Sequence, residues 1–159
     1  MAAGEPAAAA ASARREIWRR YFESSALLTH RLEQSLRTHA GLSLADYNVL
    51  LLLSEAPGRR MRMGELARRL VFSPSRLTYL VSSLQERGLV ERGQSPQDRR
   101  GRVACLTDEG TRAFRRAAIR HARDVDRLFL ADLSEEEAAV LGRVFTRLGE
   151  ELGEEPAER

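Results

Sequence analysis

The sequence predicts a mainly α fold that carries one small β-hairpin. Three observations predict it. Apolar residues recur at helical spacing through most of the chain, and capping residues and glycines cut that pattern into separate segments. One interval near residues 89–106 switches to strand-like alternation around a centre rich in turn formers and arginine. The 159 residues, 43% hydrophobic and 31% charged, suffice for one packed domain with long appended helices and argue against global disorder.

From about Arg14 to Thr38, Ile17, Tyr21, Leu28, Leu32 and Leu36 form a stripe spaced at threes, fours and sevens, which predicts one long amphipathic helix. At ~1.5 Å per residue it would run roughly 35 Å, longer than a small domain needs, so its apolar face calls for a second subunit. Gly41 ends it and Ser43 caps the next helix, LADYNVLLLLSEA, which is apolar nearly all round and belongs in the centre of a core. Pro57 and Gly58 stop that helix, and a loop, GRRMRM, leads to a short helix, GELARRLV, with Leu66 and Leu70 facing inward.

The segment FSPSRLTYLVSSLQERGLVER says most. Ser73 caps a helix and Pro74 occupies its first position, where a missing N–H costs nothing. Leu77, Leu80, Val81 and Leu84 then make a core face at i, i+3, i+4 and i+7. Ser75, Arg76, Thr78, Tyr79 and Ser82 are left pointing outward, and Gly88 ends the helix. Small hydroxyls let a helix approach a groove closely and arginine reaches base edges, although a plain solvated face is the alternative reading.

Leu89–Arg92 and Arg102–Leu106 alternate as strands, and GQSPQDRRG between them makes a hairpin with arginines at its tip and base. Thr107 caps a long helix running to Leu133, with Phe114, Ala118, His121, Val125 and Leu128 on one stripe. Ser134 and Glu137 form a capping box for a last helix through Val140, Leu141, Val144, Phe145 and Leu148.

The formal charge is +3, and every basic side chain apart from the histidines is arginine, since the sequence contains no lysine. Arginine binds phosphate and guanine through a planar fork, but a genome-wide codon preference gives the same bias. Cys105 is the single cysteine, which excludes an internal disulfide and fits a reducing cytoplasm. Val49 to Leu53 is the longest aliphatic run, too short for a membrane span, and MAAGEPAAAAASA lacks the basic start and apolar core of a secretory signal.

A helix, a short helix, a capped helix with a hydroxyl-rich outer face and an arginine-tipped hairpin make a winged helix-turn-helix. At the hairpin the pattern becomes specific. DRRGRVACLTDEG resembles the wing signature of the MarR family of bacterial transcription regulators, and GELARRLVFSPSRLTYLVSSLQERGLVER and LADYNVLLLLSEAPG resemble its upstream segments in order and spacing. The resemblance covers roughly Leu42 to Gly110.

MAAGEPAAAAASA reads as a disordered Ala-rich tail at 1–13 and GEEPAER as a tail at 153–159; between them the resemblance implies an N-terminal dimerisation helix at 14–42, a winged helix-turn-helix DNA-binding domain at 43–106 and C-terminal dimerisation helices at 107–152. It also implies a cytoplasmic homodimeric regulator, expected to be a repressor, that binds double-stranded DNA at a pseudo-palindromic operator. Ser73, Ser75, Arg76, Thr78, Tyr79 and Ser82 would serve the recognition helix. Arg100 would enter the minor groove with Asp98 orienting it, while Arg99 and Arg102 would meet phosphates.

Other functions fare worse. No phosphate-binding glycine loop, metal-protease helix or nucleophile elbow is present, and Cys105 lies in a predicted strand without a recognisable base, so no enzymatic activity and no cofactor are expected. His30 and His39 stand nine residues apart, about 900° of helical rotation, and point to opposite sides, so no metal site is expected. Family members that sense peroxides place the reactive cysteine in the first helix, which here has none; a packed, inert Cys105 is expected. A small aromatic or phenolic effector follows from the family analogy alone. Trp18, Tyr21, Tyr47, Arg15, Arg19 and His30 are residues that could line its pocket, and equally could be core or interface. A winged helix used only for protein contacts is the runner-up.

Overall fold

The chain opens on a 37-residue helix, α1 (Gly4–Ala40). The computed structural model describes the backbone of residues 4–95 and 98–153, with the side chains of 12–94 and 102–153. Residues 4–13 are therefore helical where a disordered tail is expected from sequence. Alanine is the strongest helix former, and here its run extends an established amphipathic helix rather than nucleating a new one. Gly41, at φ 63, terminates α1.

Helix α2 (Leu44–Glu55) follows a full capping box: the Asp46 amide donates to Ser43 Oγ at 3.0 Å and the Ser43 amide to Asp46 Oδ2 at 3.0 Å. Val49, Leu50 and Leu53 are completely enclosed, which makes α2 the axis of the core, as its continuous apolarity predicts. A 3-10 turn at Pro57–Arg59 leads into β1 (Arg60–Arg62), a strand inside the stretch that reads as a loop. Three residues hold too little periodicity to signal a strand. Then come α3 (Met63–Leu70), α4 (Pro74–Glu86), β2 (Val90–Ser95) and β3 (Asp98–Leu106).

The sheet is antiparallel in the order β1-β3-β2. Arg60 pairs with Cys105 and Arg62 with Val103 on one side of β3, and Val90 pairs with Leu106 and Gln94 with Arg102 on the other. A register irregularity between Gln94 and Ser95 marks the start of the tip. Met61, Val90, Ala104 and Leu106 close the core against Leu36, Leu66, Leu77, Val81 and Leu84.

Helix α5 (Asp108–Val125) starts at Thr107, whose hydroxyl accepts the Gly110 amide at 2.9 Å. The single helix expected from Thr107 to Leu133 is interrupted by a π-helical turn at Asp126–Leu130, after which α6 (Glu135–Gly153) begins at the Ser134–Glu137 box. The chain divides into two units, Met1–Asp124 and Val125–Arg159. Within the first, buried Asp124 takes hydrogen bonds from Ser35 of α1 and from Arg120 Nε at 3.1 Å.

Helices α3 and α4 end in the same way. After α4, Gly88 at φ 70 lets the Leu89 amide reach Leu84 O at 2.9 Å and its own amide reach Gln85 O at 2.9 Å, a Schellman motif. After α3, Phe72 N to Ala67 O at 2.9 Å and Val71 N to Arg68 O at 3.1 Å repeat it, but the left-handed position holds Val71, at φ 54. A β-branched residue is strained there, and at 90% exposure Val71 gains no packing in return. Val71→Gly is expected to stabilise the fold by about 0.5–1 kcal/mol, the relief of strain exceeding the added chain entropy; an unchanged or lower urea midpoint would contradict this.

Candidate nucleic-acid interface

Helix α4 is presented by its own N-terminus. Ser73 Oγ accepts the Arg76 amide at 3.3 Å and lies 3.2 Å from Ser75 Oγ, and Pro74 fills the first position. Leu77, Val81 and Leu84 anchor the inner face, each almost wholly buried, so the helix cannot roll. Ser75, Arg76, Thr78 and Tyr79 emerge on the outside, Tyr79 with 74% of its surface exposed. A large aromatic in that position adds nothing to the core.

Ser82, expected on the same face, is half-buried and already engaged. Its hydroxyl donates to Thr78 O at 2.9 Å and accepts Arg92 Nη2 at 2.7 Å, and the same Nη2 donates to Thr78 O at 2.7 Å. The β2 strand passes beside that turn of α4, and its Arg92 reaches the hydroxyl. Arg92, which sequence reasoning gives no role, therefore ties the hairpin to the helix. Its Nε is buried without a hydrogen-bond partner among the described residues.

A second tie fixes the other end of α4. Arg87 Nη1 reaches Asp46 Oδ2 at 3.2 Å and Nη2 reaches Gly41 O at 2.8 Å, so α4 is joined to the α1–α2 junction. Such contacts join residues 41 and 46 positions apart in sequence. No local pattern announces them.

On the hairpin, Arg102 is exposed at the point where β3 faces Gln94. Asp98, Arg99 and Arg100 belong to the β3 backbone, and their side chains lie outside the described residues. Arg60 and Arg62 are also exposed on β1, and Arg68 and Arg69 on the last turn of α3. The modest net charge thus conceals a basic surface around α3, α4 and the sheet.

Between α1, α2 and α4 lies a cavity of about 800 Å³. Phe22, Leu44, Phe72 and Leu80 give it apolar walls, Arg37 and Arg76 give it cations, and His30 also lines it. Arg37 Nε is paired with Glu33 at 2.6 Å, and the other Glu33 oxygen accepts the Leu44 amide at 2.6 Å. The Arg76 guanidinium lies 4.0 Å above the Phe72 ring. Of the pocket residues suggested by sequence, His30 alone lines this cavity. Tyr47 is buried instead against Phe114 and His121, at ring separations of 5.5 and 4.4 Å. Burial raises the Tyr47 hydroxyl above its usual pKa, with Glu55 adding to the effect. It lowers that of His121, against the opposing pull of Asp124.

Trp18 stacks with Tyr21 and Phe22 on the exposed face of α1, at ring separations of 5.8 and 6.2 Å. Arg15 and Arg19 are exposed on the same helix. Cys105 is a half-buried thiol in the central strand. Among the described residues no group of three or more potential metal ligands occurs, and no helix is long and apolar enough to cross a membrane.

Comparison with known proteins agrees with this geometry. A family model described as the MarR family matches residues 40–101. The chain is similar to Sco3205, a MarR family transcriptional regulator from Streptomyces coelicolor solved in complex with DNA, at 36% identity and a TM-score of 0.84, covering 91% of this chain and 90% of that one. PcaV, a transcriptional regulator from the same species solved with its natural ligand, shares 31% identity at a TM-score of 0.65, over 84% of this chain and 89% of that one. The HTH-type transcriptional repressor Mb2911 of Mycobacterium bovis is 34% identical over 113 residues, 71% of this chain and 76% of the relative.

Proposed function

The chain belongs to the MarR family of transcriptional regulators rather than to an enzyme family, and from that premise we propose that it is a cytoplasmic homodimeric repressor that binds a pseudo-palindromic operator. The observation that carries the reading is the outer face of α4, where Ser75, Arg76, Thr78 and Tyr79 stand exposed on a helix capped by Ser73 and tied to the hairpin by Arg92. Helix α4 enters the major groove and reads base edges with those side chains, while its capped N-terminus and Ser73 meet the backbone. Arg100 of the wing enters the adjacent minor groove with Asp98 orienting it, and Arg99 and Arg102 contact phosphates.

Two apolar surfaces support self-association. The middle of α1 leaves Ile17, Trp18, Tyr21, Phe22 and Leu27 between 46% and 67% exposed, whereas Leu36, near its C-terminal end, is buried in the core. Helix α6 leaves Val140, Val144, Phe145 and Leu148 between 39% and 43% exposed at spacings of one, three and four. Two such stripes on helices that bracket the winged domain suit a dimer in which both copies bury them. A two-fold dimer places two α4 helices on successive major-groove faces, with half-sites about 10 bp apart.

We propose further that a small-molecule effector releases the operator, with the cavity beside α4 as its site; a relative solved with its natural ligand supports the existence of an effector. Selection of bound duplexes from a random pool, at physiological salt where nonspecific affinity is weak, tests the whole reading. The expected product is an enriched inverted repeat. A pool without enrichment, with or without candidate effectors, contradicts the proposal and leaves a winged helix that serves protein contacts.

A further inference from the structure

One side chain joins the hairpin to the recognition helix. On β2, Val90 is almost wholly buried in the core, and strand alternation puts Arg92 on the same face, two residues nearer the tip and against α4. Its cross-strand neighbour, Ala104, is fully enclosed. Next along the hairpin, Gly93, Gln94 and Arg102 are exposed. Arg92 thus stands where the strands leave the core.

Both hydrogen bonds that join α4 to β2 among the described residues come from Arg92. Its Nη2 gives one proton to Thr78 O and the other to Ser82 Oγ, each at 2.7 Å, and the Ser82 hydroxyl donates to the same carbonyl at 2.9 Å. A planar fork held at two acceptors fixes an orientation as well as a distance. For the fold alone this is a poor choice of residue. The buried Nε is left without a partner among the described residues, and an apolar side chain of similar volume would fill the space without that penalty. What the arginine adds is direction.

That direction matters because of leverage. From Ala104, opposite Arg92, β3 extends four residues to Arg100, roughly 13 Å at ~3.3 Å per residue. A tilt of about 15° at the clamp moves that point by roughly 3 Å, half of a minor groove ~6 Å wide. At the other end the clamp grips the turn of α4 that carries Thr78 and Tyr79. We infer that Arg92 is a positioning residue for DNA binding, holding the hairpin to α4 at the angle that seats the helix in the major groove and the wing in the adjacent minor groove together. This rests on the DNA-binding reading above, and it makes Ser82 part of the clamp instead of a base contact. Without the clamp the aligned fraction falls, and apparent affinity falls in proportion to it.

A double-mutant cycle on the full-length protein and the selected duplex tests this, with affinity measured by fluorescence anisotropy at several salt concentrations. Arg92→Met is expected to weaken operator binding about tenfold or more, the loss that follows when about one conformation in ten presents helix and wing together. Arg92→Lys should recover part of the affinity. The decisive variant is Arg92→Met with Arg100→Ala. Once the wing arginine is gone its alignment no longer counts, so the pair should bind about as weakly as Arg100→Ala alone and show the same salt slope. Ser82→Ala should weaken binding about threefold through the loss of one hydrogen bond, and not at all in the Arg92→Met background. Urea unfolding and circular dichroism report whether each variant is folded, and the cycle of Ser82→Ala with Arg100→Ala carries the test if Arg92→Met does not fold. Additive losses overturn the inference: with a slope shallower than that of Arg100→Ala they make Arg92 a phosphate contact, and with an equal slope they leave it a purely structural residue. Wild-type affinity in Arg92→Met overturns it as well. In each of these cases the DNA-binding reading stands, whereas a wild type without operator affinity removes both.

Discussion

Arg100→Ala is expected to lower operator affinity by about a hundredfold or more while leaving the dimer intact. Each proposed protomer would lose an arginine from a narrow minor groove, where the negative potential is strongest, and a specific side-chain contact of this kind contributes roughly 1–3 kcal/mol. Two such losses at ~1.4 kcal/mol per factor of ten account for the size of the effect. The change lies in the proposed wing and touches none of the residues proposed for the dimer interface, so sedimentation should still report a dimer. Fluorescence anisotropy at several salt concentrations is the measurement. The salt slope should become shallower as well, because fewer counterions are released; an unaltered affinity would sink the wing assignment.

Gly110→Ala is expected to destabilise the protein by about 3 kcal/mol or more, although helix propensity alone argues the opposite. Alanine in a helix is worth about 1 kcal/mol over glycine. At this position, however, an added Cβ would lie 2.0 Å from Leu89 O and 2.8 Å from Leu106 Cδ1. The oxygen is backbone, and it is already held by the Thr107 amide at 3.2 Å, so it cannot swing aside as a flexible side chain would. Either α5 or the turn between α4 and β2 must move. Overpacking of this severity lies at or beyond the upper end of the usual 1–3 kcal/mol cost and outweighs the propensity gain. Urea unfolding gives the stability. A variant as stable as the wild type would mean that α5 can separate from the Gly88–Leu89 turn without loss.

What could be read in the sequence is what neighbouring residues determine. The four capped helix starts at Ser43, Ser73, Thr107 and Ser134 all occur where a short polar side chain meets an amide three residues on. Gly41 and Gly88 end helices because the left-handed conformation they supply is a local need. The core faces of α2 and α4 follow from spacing, and the hairpin follows from alternation around turn formers. Four exposed residues of the candidate reading face were legible for the same reason, as the complement of the Leu77–Leu80–Val81–Leu84 stripe.

Beyond that range the sequence is silent. The propensity for helix in residues 4–13 is visible in the alanines, but low complexity looks equally like a tail until an ordered helix exists for it to extend. Strand β1 exists because β3 has a free edge, and three residues cannot advertise that on their own.

The sequence by itself determined the helix caps, the core faces and the hairpin of the winged helix-turn-helix, because those rest on spacings of two to four residues, and its motifs resemble those of the family to which the chain belongs. Only the tertiary structure decided that Ser82 serves Arg92 instead of facing outward, that Arg87 binds α4 to the Gly41 junction, that Gly110 must remain glycine and that Arg76 borders a cavity. Each of those outcomes depends on which surfaces meet when the core closes. Burial of apolar side chains drives that closure without regard to direction, and the polar groups must then bond to whatever partner the packing brings within about 3 Å.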